Sequence, residues 1–433
     1  MDRKKGFIYF GNILCLLIWL SLIGVALWPI SGLYGPQADW WGGDAAVRAT
    51  KYAGWGAVAG MIGMVVQLRV LQKRGKISAK ATRRTQIGVI LVAGLLTGLC
   101  VPYFAIPAQV GLNAQAEFAA TWGTDWETRI QVPASGPWLS TPYSLIGLCT
   151  PLPYSTSTFT VTPDIEFLNN GVDSFKCDAF IPQGAGPFPV IIDIHGGGWV
   201  GGDKDSMMRY QQEYFAAAGY CVFSVQYGAN AEANRSRQYS MEEILDNLAA
   251  FSNWLAQPAI CGQYKANISA SFVVGLSAGG HLSALLGVAR MNVSAWNPAV
   301  RVLGAVDFYG ITDLRHWDKV SAAWFNATGL FNASVLADYS LVDRFSPMTY
   351  CEVATPSTPN IAPLLVFHGD ADSVVSVSQS RDLAAMCAAR GLKCVYIEIP
   401  RGEHVFEGDP KTGPAQITLW AMERFFLLCR AQA

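Results

Sequence analysis

The chain has 433 residues, with 31 Lys and Arg against 32 Asp and Glu, for a formal net charge of −1. That balance leaves no basic surplus for a nucleic-acid partner, and none is expected. Charged residues are only 15% and apolar ones 51%, which points to a membrane-embedded part in a chain long enough for two or three domains.

No charged residue occurs from Gly6 to Ala38, from Tyr52 to Leu68, or from Thr85 to Ala116. A bilayer core of about 30 Å takes roughly 20 apolar residues. The spacing therefore predicts a membrane domain over 1–116 with three transmembrane helices at about 6–30, 52–71 and 86–110, the second completed if Arg69 snorkels. Met1 to Lys5 could open a cleaved signal peptide, but the apolar run through Trp28 is too long and lacks a small-residue cleavage site, so an anchor is expected. Arg69, Lys73, Arg74, Lys76, Lys80, Arg83 and Arg84 form an acid-free loop, and Arg3, Lys4 and Lys5 mark the N-terminus. Both read as cytoplasmic. The loop with Arg48 and Lys51 is offset by Asp39 and Asp44 and lies outside. Everything after about Ala116 is then lumenal or extracellular, in the endomembrane system or at the cell surface.

Sequons at Asn234, Asn267, Asn292, Asn326 and Asn332 all fall in that C-terminal part and suit a glycoprotein. Eight cysteines lie outside the spans, namely Cys149, Cys177, Cys221, Cys261, Cys351, Cys387, Cys394 and Cys429. They allow disulfides whose pairing is open. No Cys or His spacing suits zinc, and no metal or other cofactor is expected.

Residues 117–157 lack clear periodicity and read as a linker lying against the domain or the membrane surface. From 158 onward, short β-rich runs alternate with helical ones, which predicts a mostly parallel, doubly wound sheet of eight strands. The strands are expected at Phe159–Phe167, Ser174–Ile181, Phe188–Ile194, Tyr220–Val225, Ser271–Val274, Val302–Phe308, Pro363–Phe367 and Lys393–Ile399, with the first two as a hairpin. Helices are expected near 206–217, 240–256, 278–290, 377–389 and 413–430. The stretch over about 310–360, containing Trp317, Trp324 and Phe331, is expected to be a helix plus an insertion that roofs one edge of the site.

Gly275-Leu276-Ser277-Ala278-Gly279 follows a strand and opens a helix, the context in which a G-x-S-x-G turn presents a nucleophilic serine. Small residues two positions either side let the chain pass through that strained turn. His195-Gly196-Gly197-Gly198-Trp199 follows an earlier strand. Its glycines let backbone N–H groups approach a developing oxyanion, so Gly196 and Gly197, with Ala278, are the candidate donors. The chain lacks the G-x-G-x-x-G and G-K-S/T patterns of nucleotide loops. Of five histidines, His404 alone sits in a loop after the last strand, where the general base belongs. Asp370 and Asp372 are both candidates for its acidic partner, and Glu403 is expected to face solvent.

Six segments carry a family resemblance: HGGGW at 195, GLSAGGHL at 275, VDFYGITDL at 306, SPMTY at 346, HGDADSVV at 368 and GEH at 402. Residues 159–430 resemble the esterase/lipase branch of the α/β-hydrolases, near its feruloyl-esterase-like and hormone-sensitive-lipase-like groups. The resemblance implies the α/β-hydrolase fold and makes the second aspartate of the HGxxD turn, Asp372, the acid. Gln226-Tyr227-Gly228 departs from the Tyr-Arg of many relatives. Membrane-bound prenylcysteine methylesterases are also similar in outline, but their substrates do not suit a lumenal face.

These features together predict a membrane-anchored carboxylesterase/lipase-type serine hydrolase with the triad Ser277, Asp372 and His404. Its substrate would be a small-molecule or lipid ester, with Trp199 and insertion aromatics either lining an acyl pocket or forming ordinary core. Two alternatives are a serine exopeptidase-like hydrolase, since the HGxxD turn also occurs in prolyl-oligopeptidase-like enzymes, and an inactive adhesion or receptor ectodomain, which an intact triad disfavours.

Overall fold

The computed structural model describes residues 105–433 except 149, 172, 206–207, 229–237, 317–328 and 332–341. Of the first 104 residues it describes only 69, 73 and 75, and of 291–293 only the backbone. Most of the expected spans, Asn234, Asn326, Asn332, Cys149, Trp317 and Trp324 therefore lie outside the described residues. No helix among the described residues is long and apolar enough to cross a membrane. The chain divides into two compact units, Met1–Ile106 and Pro107–Ala433, and the second is described below.

That unit contains a mixed eight-stranded sheet: β1 (Phe159–Asn169), β2 (Ser174–Pro182), β3 (Phe188–Ile194), β4 (Cys221–Val225), β5 (Ala266–Leu276), β6 (Val302–Phe308), β7 (Leu364–Gly369) and β8 (Cys394–Ile399). Their spatial order is β1-β2-β4-β3-β5-β6-β7-β8. β2 runs antiparallel to both of its neighbours, and every other pairing is parallel. The parallel strands β4, β6 and β7 are buried along their whole length, because helices cover both faces of the sheet. Each is accordingly a continuous apolar run rather than an alternating one.

The helices are α1 (described over 105–122), α2 (Arg209–Ala217), α3 (Met241–Leu255), α4 (Pro258–Tyr264), α5 (Ala278–Val293), α6 (Pro347–Val353), α7 (Ser378–Arg390) and α8 (Gly413–Ala431). α3 starts where a capping box allows it, with Ser240 accepting from the Glu243 N–H and the Glu243 carboxylate from the Ser240 N–H. α4 and α6 are short helices of 7 residues led by proline, and of the two only a helix within about 310–360 was expected. α6 falls inside the expected insertion.

α8 is buried on nearly every side from Gly413 to Cys429, its polar Gln416, Glu423 and Arg424 included, so it is covered all round. The sheet covers one side and residues 107–148 cover another. Val110, Ala114, Phe118 and Trp122 recur every four residues on one face of α1, and Trp126 follows in a separate 3-10 turn at 126–129; all five are buried. Phe118 stacks on Trp126 at 5.0 Å, and both meet Trp420 edge-on at 5.8 and 6.1 Å. The Leu139 N–H donates to Glu423 at 3.0 Å, the Ser144 N–H to Gln416 at 2.8 Å, and the Thr121 hydroxyl to the Cys394 carbonyl at 3.0 Å. The segment expected as a linker is thus built into this unit as far as these contacts reach, and the expected boundary at 116/117 falls inside α1.

Strand order reverses beside β3: the chain passes from β3 to β4 on one side and then to β5 on the other. In open α/β sheets the crevice at such a switch point, outside the C-terminal strand ends, is where ligands bind. β3 ends at Ile194, next to His195-Gly196-Gly197-Gly198, and β5 ends at Leu276, next to Ser277.

Candidate active site

Ser277 is the single residue between β5 and α5, at φ 57° and ψ −117°. A non-glycine residue there stores about 1–3 kcal/mol of strain and persists only where its surroundings enforce it. Its N–H donates to the Phe308 carbonyl at 2.8 Å, and its carbonyl accepts from the His281 N–H at 2.9 Å. A side chain at Gly279 would overlap the carbonyls of Ile194 and His195, and one at Gly275 would overlap the backbone of Gly279. β3, the serine turn and the start of α5 are therefore in backbone contact, which is why small residues flank the serine.

The same closeness places the glycine loop. A methyl group on Gly196 would lie 3.4 Å from Ser277 Cβ and 2.9 Å from the Leu276 carbonyl. Gly196 thus lies against the serine turn, and Ala278 begins the helix beside it. Gly197 has φ 120° and its own turn leaves no space for a side chain.

Asp372, after β7, and His404, after β8, meet directly: Asp372 Oδ2 accepts from His404 Nδ1 at 2.7 Å. Asp372 Oδ1 accepts from the N–H groups of Val374 and Val375 at 2.8 Å each, and Oδ2 lies 3.4 Å from His368 Nε2. Burial alone would raise this carboxyl. The hydrogen bonds from His368 and His404 outweigh it and hold the group well below the usual carboxylate range. Because a carboxylate only accepts, His404 carries its proton on Nδ1 and offers the Nε2 lone pair. Asp370 is exposed and accepts from the Arg401 N–H, so it ties the turn after β7 to the one after β8.

Glu403 is exposed, as expected, yet engaged. Its Oε1 accepts from the Ser373 N–H at 2.6 Å, the Ser373 hydroxyl at 2.8 Å and the His404 N–H at 3.0 Å. It straps the aspartate loop to the histidine loop.

Two residues next to His404 were missed in the sequence. Tyr309, with φ 44°, follows β6, and its ring centroid lies 4.5 Å from that of His404. Its hydroxyl donates to Glu407 Oε1 at 2.5 Å, and Tyr210 donates to the Glu407 carbonyl at 2.8 Å. Glu407 is fully buried, and burial pushes its carboxyl up to about 8. Between them Val405 sits at φ 64°, an unusual conformation for a β-branched side chain. Tyr309 lies in the VDFYGITDL segment, but that segment gives it no role and no motif marks Glu407, since their significance comes from the crossing of two loops.

Of the two expectations for Trp199, core is the one observed. It is buried rather than open to a pocket, and its Nε1–H donates to His281 Nδ1 at 3.2 Å. His281 Nε2 bonds the Phe345 carbonyl at 2.7 Å, so the neutral ring donates at one nitrogen and accepts at the other. Burial depresses its basicity to about 4 and keeps it neutral. This chain ties the glycine loop to α5 and to the base of the insertion. Phe331 is buried against Phe345. In the departing tripeptide, the Tyr227 hydroxyl donates to the His195 carbonyl at 2.8 Å and Gln226 accepts from the Lys204 N–H at 3.1 Å, so these residues brace the same loop from behind.

The strand order and the strand-to-helix turn at Ser277 are those of the α/β-hydrolase fold. Residues 177–386 match the family model described as BD-FAE. Two proteins of Mycobacterium tuberculosis are similar in sequence. One is described as the probable carboxylic ester hydrolase LipM, 26% identical over 51% of this chain and 50% of its own length; the other is the esterase LipC, 27% identical over 53% and 56%. The chain therefore spans about half the length of the curated relatives it matches. Among solved structures, a puromycin-hydrolyzing peptidase of Mycobacterium tuberculosis shares the fold with a TM-score of 0.50, at 17% identity over 64% of this chain and 40% of that one.

Proposed function

We propose that this chain is a membrane-anchored serine hydrolase that cleaves carboxylic esters, with Ser277 as nucleophile, His404 as general base and Asp372 as its acidic partner. The observation that carries the reading is the 2.7 Å bond from His404 Nδ1 to Asp372, which leaves Nε2 as the proton acceptor. Nε2 takes the Ser277 proton as Oγ bonds to the ester carbonyl carbon. The carbonyl oxygen becomes an oxyanion, for which the N–H groups of Gly196, Gly197 and Ala278 are the donors. As the tetrahedral species collapses, the alcohol leaves with the proton from His404. Water then attacks the acyl-serine, His404 takes the water's proton, and Ser277 is restored as the acid departs.

The anchor and the lumenal face rest on the three uncharged stretches and the basic loop between the second and third. Esters of apolar or lipid-like character suit such a setting. The test is labelling by a fluorophosphonate probe of wild-type protein and Ser277→Ala in sealed microsomes, with and without detergent. Labelling of wild type alone, and only after permeabilisation, supports both nucleophile and topology. Equal labelling of Ser277→Ala sinks the nucleophile, and detergent-independent labelling sinks the topology. Short acyl esters compared with aminoacyl amides then separate an esterase from an exopeptidase.

A further inference from the structure

No charged residue occurs from Ile130 to Pro163, and none from Thr85 to Ala116. Both stretches contribute to one region of the surface. A methyl on Gly111 in α1 would lie 3.1 Å from Pro142 Cγ, and one on Gly413 would meet Pro107 and Tyr143. Residues 107–112 and 142–146 thus lie together at the N-terminal end of α8. Within a few residues of that contact, three large apolar side chains point outward: Leu112 is 60% exposed, Leu145 48% and Ile146 74%. Elsewhere on the unit such residues are rare, and ordinary surface carries charge in both signs.

The apolar run expected to span the bilayer ends at about residue 110. At 1.5 Å per helical residue, Leu112 lies about 3 Å beyond it. A chain that leaves the hydrocarbon at this point brings Gly111, and with it Pro142 and Tyr143, to the level of the lipid headgroups. Uncharged surface rich in Ser, Thr, Pro, Tyr and Trp with protruding Leu and Ile suits that depth.

We infer that the face carrying Leu112, Leu145 and Ile146 rests on the bilayer surface, with these three side chains inserted among the lipids. The inference rests on the proposal that 86–110 spans the membrane. Because the segments 107–112 and 142–146 have no Lys or Arg, contact through them is apolar and does not require anionic lipid. The active-site unit is then held at a fixed height on the membrane instead of swinging on a tether.

The full chain is reconstituted in phosphatidylcholine vesicles with p-benzoylphenylalanine placed at Ile146, at Leu112 or, as an aqueous control, at Val353, which is 78% exposed at the end of α6. Irradiation is expected to give lipid adducts from Ile146 and Leu112, at least several-fold above Val353. Adducts to residues 1–104, adducts to a second copy, or a yield no higher than that of Val353 overturns the inference. Alkaline carbonate extraction of the same vesicles separates the two readings. Release of the chain overturns the anchor, and retention without lipid adducts overturns only the contact face.

Discussion

Tyr309 donates a 2.5 Å hydrogen bond to Glu407 while its ring lies 4.5 Å from that of His404, so a fully buried carboxyl supports the residue that backs the proposed general base. Burial holds that carboxyl near 8, against an ordinary glutamate value of about 4.3 in an unfolded chain. Between those two values the unfolded state releases the proton and the folded state keeps it. Folding stability is therefore drained as pH rises through that window, and the loss is complete above about 8. Glu407→Gln keeps an acceptor for Tyr309 and removes the titration. Thermal melts of the two proteins are expected to differ little at pH 4.5, with the variant gaining on wild type steadily up to pH 8. A pH-independent difference would refute the protonated carboxyl.

Asp370 and Asp372 make opposite predictions. Asp372 fixes the Nδ1–H tautomer of His404, and an amide there can present a donor instead, so Asp372→Asn is expected to lower kcat toward a short ester by about 10⁴-fold. Asp370 binds a backbone N–H at the surface, and Asp370→Asn is expected to stay within a few-fold of wild type. Steady-state kinetics of both variants decide the acid. A large loss in Asp370→Asn with little loss in Asp372→Asn reverses the assignment.

Trp199→Phe keeps an aromatic ring, though a smaller one, and removes the N–H that His281 Nδ1 accepts from. The expected loss of stability is about 1–3 kcal/mol. Because Trp199 adjoins the glycine loop, kcat should fall with KM little changed, as when an interaction with the transition state is weakened. Denaturant melts and kinetics check the two parts separately, and an unchanged kcat would sever this tie from catalysis.

Val405 at φ 64° predicts an unusual sign. Valine to glycine ordinarily destabilises, but here the change relieves left-handed strain of about 1–2 kcal/mol against an entropic cost of about 0.5–1 kcal/mol. Val405→Gly is expected to match or exceed wild type in melting temperature. A fall of several degrees would mean that the valine side chain contributes more packing than its conformation costs.

Much of this was legible in the sequence, for reasons that differ by residue. Phe188–Ile194 and Val302–Phe308 are apolar runs closed by turn residues, and both strands have the expected bounds. Ser277 and the glycines at 196 and 275 were legible because strained or crowded backbone restricts residue type. β5 begins five residues before its expected start, at Ala266, because Asn267 and Ser269 are poor strand formers carried by pairing with β3 and by the chain around Arg301. The repeat from Val110 to Trp126 was written in the sequence but divided between an expected span and an expected linker, so its four-residue period went unread. The pairings of Tyr309 with Glu407 and of Trp199 with His281 gave no signal, although three of these residues sit in recognisable segments, because each pair joins positions far apart in the chain.

The cover over α8 also bears on how the fold is completed. Thr121 bonds Cys394 across 273 positions and Leu139 bonds Glu423 across 284, so the first described helix and the last share one apolar layer. During synthesis, Phe118, Trp122 and Trp126 emerge long before Trp420 exists. The docking of α8 closes the longest chain loop in the unit, and contacts of such separation form late. Until Trp420 leaves the ribosome, Phe118 and Trp126 wait without the ring that covers them, and a truncation ahead of Trp420 would leave them so permanently.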